Sequence, residues 1–363
     1  MTSESDAKTQ EAIVSLLKQI CETPSPTFKE QKRARLIKGM FEASGLNAQL
    51  DKVGNVIAEV EDGTGPRVLI AAHLDTVFPD TVDLQIKAQD DKLLAPGIGD
   101  NSASLAVMVQ TLKHLPEKRP RLLVAASVGE EGVGDLYGMR ELMRSYKDEL
   151  DLVIALDGHL GTIVSHGVGS KRFDITLSAK GGHSWGDYPS PSATHALGDI
   201  IHNLTHISIP REPRTSLNIG EVSGGTSINA IAQKARFNLD LRSLDKTILE
   251  QLEREAKQRI QKVIRQHGVS AEVKQIGDRP TAKSPNDKLV ALARNVLRQS
   301  ETIPRTAASS TDANIPMSLG IPSIAFGVYN GGDAHRLSEW LEPASLVKGY
   351  KVFQLLLTEL ASY

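Results

Sequence analysis

Apolar runs that alternate with helical patterns constrain this chain more than any other feature. Four short segments rich in Val, Ile, Leu and Ala stand out: NVIAEV, RVLIAAHLD, RLLVAASVGE and DLVIALDG. The last three are separated by the helix-patterned NSASLAVMVQTLKHL and LYGMRELMRSY. Near-continuous apolar runs fit strands buried on both faces, and the helices supply the crossovers that parallel strands need. The pattern predicts an α/β fold, a mostly parallel sheet covered by helices on both faces. Ahead of it, residues 8–46 show helical spacing that Pro24 and Pro26 interrupt, giving two helices, EAIVSLLKQI and KRARLIKGMF.

Near residue 170 the pattern changes. RFDITLSAK reads as a strand, SATHALGDIIHNLTHI as a helix, and TSLNIGEVSG and ARFNLDLRS as strands. A long helix, KTILEQLEREAKQRIQKVIRQHG, and a strand, AEVKQI, follow. That order, β-α-β-β-α-β, predicts an inserted α+β domain of ferredoxin-like type. After GDRPTAKSP the α/β pattern resumes with NDKLVALARNVLRQS, IPSIAFGV and LVKGYKVFQLLLTEL. The expected division is therefore 1–169 and 282–363 for one domain and 170–281 for the insert.

Composition excludes several classes. Lys plus Arg number 42 and Asp plus Glu 44, a net charge of -2. No strong field draws nucleic acid or an anionic membrane, so neither is expected as a partner. The opening MTSESDAKTQEAIVSLLKQI has no basic n-region and no continuous apolar h-region. No later stretch reaches the ~20 apolar residues of a spanning helix. The expectation is a cytoplasmic protein that handles small substrates. Cys21 is the single cysteine, so any metal must be held by His, Asp and Glu.

Such residues fall where expected strands end, the rim at which open α/β sheets bind ligands. His73 and Asp75 in AAHLDTVFP are two apart and face one side of an extended strand end. One can bind metal while the carboxylate orients the imidazole, although a plain polar strand end reads the same way. Asp100 in LLAPGIGDNSASLAV suits either a ligand or a helix N-cap. Glu130 and Glu131 are adjacent after an apolar strand and point to opposite sides; such a pair is also common on solvated loops. Asp157 closes DLVIALDG, where an Asp-Gly turn is the alternative. His335, in the glycine-rich NGGDAHRLSEW, can swing toward a distant site or simply face solvent. Taking one ligand from each of these five places, two histidines and three carboxylates suit a pair of borderline divalent ions, since thiolate is absent and all-oxygen cages need no imidazole.

These residues resemble the co-catalytic di-zinc exopeptidases, the family of peptidase T, aminoacylase, acetylornithine deacetylase and carboxypeptidase G. HLDTV, the GDN loop, GEEG, Asp157, GGHSW, GGTSIN and His335 occur in that family's order across essentially the whole chain. The resemblance implies that Asp100 bridges two metals, with His73 and Asp157 completing one site and Glu131 and His335 the other. It implies that Asp75 orients His73, that Glu130 is the general base, and that the Asp100–Asn101 peptide is cis. Many relatives carry Asp or Met where this chain has Asn101. The insert resembles the family's lid and dimerisation domain. There His183 corresponds to a histidine that steadies the oxyanion, often across a dimer, and Asn229 and Arg242 to substrate contacts, Arg242 through a carboxylate. His159, His166 and His195 receive no role.

The implied activity is metal-assisted amide hydrolysis in which Glu130 takes a proton from water. The cofactors would be two divalent ions, zinc first, with cobalt or manganese also suited to the donors. In the family, Asp at the position of Asp157 is typical of aminopeptidases and dipeptidases, which points to a di- or tripeptide aminopeptidase acting as a homodimer. The alternatives are an N-acyl-amino-acid deacylase or carboxypeptidase with the same bond chemistry, and a catalytically silent protein on the same fold. A silent protein would be expected to lose the base or a ligand, and all those positions are filled.

Overall fold

The computed structural model describes residues 4–363 apart from Ser284 and Asn286. Asn286, at the start of the expected helix NDKLVALARNVLRQS, lies outside the described residues, as do the first three of MTSESDAKTQEAIVSLLKQI. Two compact units are present: one runs to Gly167 and resumes at Lys283, and the other is Val168–Ala282.

The first unit is built on one sheet. In space its strands run Gln49–Leu50, Val56–Val60, Arg121–Ser127, Arg67–His73, Leu152–Leu156, Ser323–Phe326 and Thr162–Gly167, with Arg305–Ser309 also paired to the last. Arg121–Ser127, Arg67–His73, Leu152–Leu156 and Ser323–Phe326 lie parallel, while Val56–Val60 and Thr162–Gly167 flank them antiparallel. Alternation of side chains decides how the faces are covered. Val68, Ile70 and Ala72 point into a core with Ile13, Leu17, Leu105 and Phe353, brought by the helices Glu4–Cys21, Ser104–Lys113 and Pro343–Leu360. Leu69 and Ala71 point the other way, onto Met139, Leu142 and Met143 of Tyr137–Tyr146. Helices thus cover both faces, as parallel strands require.

Some strands escape the sequence pattern. Thr162–Gly167 and Arg305–Ser309 join the main sheet, and a small sheet forms from Lys87–Gln89, Lys92–Leu94, Trp340–Leu341 and Gly331–Gly332. Lys87–Gln89 and Arg305–Ser309 are short and exposed throughout and carry no periodicity to detect, and Thr162–Gly167 buries only Ile163, Val164 and Gly167.

In the second unit the major elements are Gly169–Ser178, Ala193–Thr205, Thr215–Gly224, Lys234–Ser243, Lys246–His267 and Ser270–Arg279. Its four-stranded antiparallel sheet has the order Thr215–Gly224, Lys234–Ser243, Gly169–Ser178, Ser270–Arg279. Phe173, Ile175, Leu177, Phe237, Leu239 and Leu241 alternate onto one face and meet Ala196, Ile200, Leu252 and Ile260 of the helices. Asp245 starts the second helix by accepting the Ile248 N–H at 2.9 Å. Among the described residues, no helix is long and apolar enough to cross a membrane.

Candidate metal centre

The parallel strands end on one rim of the first unit, and candidate ligands leave from those ends. His73 closes Arg67–His73, Glu130 and Glu131 follow Arg121–Ser127, and Asp157 follows Leu152–Leu156. Asp100 lies in a wide turn, Ile98–Ala103, leading into Ser104–Lys113. Gly97 takes φ 72° there, and a Cβ on Gly99 would sit 2.7 Å from the Tyr329 ring, so side chains are excluded where the loop folds back. The Asp100–Asn101 peptide is cis, and Asn101 donates through Nδ2 to the Leu156 carbonyl at 2.8 Å.

Asp100 stands between the two histidines. Its Oδ1 is 3.0 Å from His73 Nε2, and its Oδ2 is 3.2 Å from His335 Nε2. His335 Nε2 is also 2.9 Å from Glu131 Oε1. Three overlapping groups place one ligand atom per residue within 4.8 Å of one another: His73 with Asp100 and Asp157, Asp100 with Glu131 and His335, and His73 with Glu130 and Glu131. Each expected ligand, and Glu130 with them, therefore converges on one place.

Asp75 lies beside His73 and also reaches the Glu130–Glu131 turn. Its Oδ1 accepts the Glu130 N–H and its Oδ2 the Glu131 N–H, each at 2.9 Å, and Oδ2 also accepts the Thr27 hydroxyl at 2.9 Å. His73 Nδ1 meets the Asp75 main-chain carbonyl at 3.0 Å and the carboxylate only at 3.6 Å. Asp75 thus fixes the ring through its backbone and the Glu130–Glu131 turn through its side chain.

Charges shape the cluster. Burial opposes the charge of Asp100, but bonds from His335 and His73 outweigh it and hold its carboxyl well below the usual range. Bonds to Asp100 and then Glu131 push His335 up to about 11. Burial works against a cation at His73, yet Asp100 and Asp75 raise it overall. Burial, then the charge of Asp100, lifts Asp157 to about 7.

Two supporting residues escaped the sequence. Buried Arg33 donates to the Leu74 carbonyl at 3.0 Å and to that of Thr23 at 2.8 Å, tying down the strand end that carries His73. Glu339 is buried and accepts three main-chain bonds from the loop around Asp100. Neither has a neighbour in sequence that signals its role.

The remaining expected site residues lie in the second unit. His183 belongs to a short strand, Gly182–His183, paired with Ala230–Ile231, and the Ser184 N–H donates to the Asn229 carbonyl at 2.9 Å. His183 Nδ1 accepts the N–H groups of Trp185 and Gly186, each at 3.2 Å. A neutral ring held this way carries its proton on Nε2, which is then a donor. Arg242 lies on Lys234–Ser243 and donates through Nε to Asp240 at 2.8 Å.

A mostly parallel sheet with nitrogen and oxygen donors gathered on its carboxyl rim defines the class: an α/β protein with a candidate metal centre. The chain belongs to peptidase family M20/M25/M40, whose model matches residues 69–359. A Pyrococcus abyssi protein named as a LysW-lysine/LysW-ornithine hydrolase is 38% identical over 119 residues, 33% of each chain. The chain thus spans about a third of the length of the first curated relatives it matches. A succinyl-diaminopimelate desuccinylase from Corynebacterium glutamicum is 25% identical over 349 residues, 90% of each chain. Among solved structures, a Staphylococcus aureus tripeptidase superposes with TM-score 0.82 at 21% identity, covering 98% of this chain and 99% of that one. The aminopeptidase PepT of Bacillus cereus gives TM-score 0.77 at 23% identity, covering 97% and 99%. These two likenesses speak for the fold.

Proposed function

We propose that the chain is a two-metal exopeptidase that cleaves the amino-terminal residue from di- or tripeptides. One observation carries the two-metal part of the reading: the two carboxylate oxygens of Asp100 face different histidines, His73 at 3.0 Å and His335 at 3.2 Å, whereas the choice of an aminopeptidase rests on the resemblance at Asp157. A carboxylate so placed can be shared between two ions, His73 and Asp157 completing one seat and Glu131 and His335 the other. The donor set fits zinc, with cobalt and manganese also suited to nitrogen and oxygen. When bound, such ions polarise a carbonyl and lower the pKa of water.

The chain's own residues then divide the work. Glu130 is the general base, its main chain anchored by Asp75 and its carboxylate in the cluster with His73 and Glu131. It takes the proton of the attacking water and returns it to the leaving amine, a service worth roughly 100- to 10,000-fold. His183 is a donor to the developing oxyanion, in keeping with the Nε2 proton that its backbone contacts leave. Asn229 and Arg242 contact substrate, Arg242 by turning its guanidinium to a substrate carboxylate. The Val168–Ala282 unit serves as lid and dimer contact. A cytoplasmic location belongs to the same reading.

The Corynebacterium glutamicum relative, matched along 90% of both chains, favours a second reading, removal of an acyl group from an amino acid. Protein supplied with zinc, cobalt or manganese and offered free tripeptides beside N-acylated amino acids separates the two. Turnover of unblocked peptides is expected. Preference for a blocked amine would overturn the aminopeptidase assignment.

A further inference from the structure

Glu339 reaches the loop of Asp100 from the opposite end of the sequence. Its Oε2 accepts the Gly97 N–H at 2.9 Å, and its Oε1 accepts those of Gly99 at 2.8 Å and Asp100 at 2.9 Å. The backbone joins in, since the Ala95 N–H donates to the Glu339 carbonyl at 3.1 Å. The next residues, Trp340 and Leu341, pair with Leu94 and Leu93 on one side and with Gly332 and Gly331 on the other. His335 lies within this same Gly331–Leu341 stretch, in the left-handed region at φ 67°.

We propose that Glu339 is a positioning residue: it clamps the Gly97–Asp100 loop so that Asp100 turns one oxygen to His73 and the other to His335. It thereby couples the seat of Asp100 to that of His335, because both hang from one short stretch of chain. The inference rests on the two-metal reading in one respect, that Asp100 is a shared ligand.

The chemistry requires a carboxylate. A loop that folds this tightly leaves several N–H groups without main-chain partners, and each must be satisfied where water is excluded. Burial, and the charge of Asp100, lift the Glu339 carboxyl to about 7, while the three N–H bonds to its two oxygens favour the ionised form that accepts all of them. Glutamine in the same place keeps an oxygen for Gly99 and Asp100 but turns an NH₂ toward the Gly97 N–H. Alanine leaves all three unmet. A graded loss follows, wild type above Glu339→Gln above Glu339→Ala.

The test is a cobalt(II) titration of the metal-free full-length protein and both variants, followed by visible absorption, with kcat, KM and the melting temperature of the metal-free forms measured alongside. Glu339→Gln should bind cobalt about 10- to 100-fold more weakly, with an altered band shape, and Glu339→Ala more weakly still. Turnover should fall through kcat while KM holds. If both variants melt earlier yet bind two cobalt ions with wild-type affinity and spectrum, Glu339 is structural only and the proposal is wrong. Should the alanine variant fail to fold, the glutamine variant decides. Wild-type protein that binds two ions but spares every peptide and acyl amino acid would refute the hydrolase reading, and the cobalt curves would still judge the clamp.

Discussion

The carboxylate of Asp75 holds the backbone of Glu130, with Oδ1 accepting the Glu130 N–H at 2.9 Å. The same side chain grips Glu131 and Thr27, while His73 rests on the Asp75 carbonyl. Asp75→Asn keeps the shape but turns one accepting oxygen into an NH₂ facing an N–H or hydroxyl donor. Activity should drop about 10- to 100-fold, because the turn that presents base and ligand loosens. Kinetics with metal content measured in parallel checks this. Full activity in the variant would show that the Glu130–Glu131 turn holds itself.

Glu130→Gln separates base from ligands. In the proposed arrangement the seats are completed by His73, Asp100, Glu131, Asp157 and His335, so both ions should stay. Turnover should fall by roughly 100- to 10,000-fold, the usual worth of a positioned base. Elemental analysis beside a peptide assay decides it; a metal-loaded variant with normal turnover removes Glu130 from the mechanism.

Stability of the second unit offers a check independent of the chemistry. Asp245 precedes Lys246–His267 and accepts the Ile248 N–H at 2.9 Å, one of the donors that a helix start leaves open. Asp245→Ala should cost about 0.5–2 kcal/mol. Chemical denaturation reads the shift, and an unchanged midpoint would show that solvent replaces the cap without loss.

How much the sequence discloses depends on whether a residue's role is local. The strands Arg67–His73, Arg121–Ser127 and Leu152–Leu156 are legible because burial on both faces writes Val, Ile, Leu and Ala without interruption. His73, Glu130, Glu131 and Asp157 are legible for the same reason, as polar residues where such runs stop. Phe173, Ile175 and Leu177 show a one-faced strand by their spacing alone. Glu339 is illegible: its partner Gly97 is 242 residues away, and an acid in SEW looks like any loop acid until the fold closes. Arg33 hides likewise, a basic residue on an amphipathic helix whose guanidinium happens to turn inward. Asp75 is half legible, since spacing places it beside His73 but cannot reveal that its oxygens face Glu130 and Glu131.

Protonation of the cluster makes metal binding depend on pH. His335, bonded to Asp100 and Glu131, is pushed up to about 11, and His73 is also raised, Asp100 and Asp75 outweighing its burial. Burial and the charge of Asp100 bring Asp157 to about 7. Near neutral pH the metal-free protein therefore holds protons on both imidazoles and a share on Asp157, and ligation must displace them; roughly two protons or more should leave as the two seats fill. Affinity should rise with pH. Calorimetry in two buffers of different ionisation enthalpy measures the release, and heats independent of buffer would show that the histidines are already neutral. The same shifts fix the stability of the metal-free form. A raised pKa means the folded state holds its proton longer, so the contribution of His335 is complete below about pH 6.5 and is lost as pH climbs through about 11. Asp157 acts in the same direction between about 3.9 unfolded and about 7 folded. Chelated protein should accordingly melt earlier at about pH 9 than at about pH 6, while the metal-loaded protein, its ligands no longer proton-bound, should lose less.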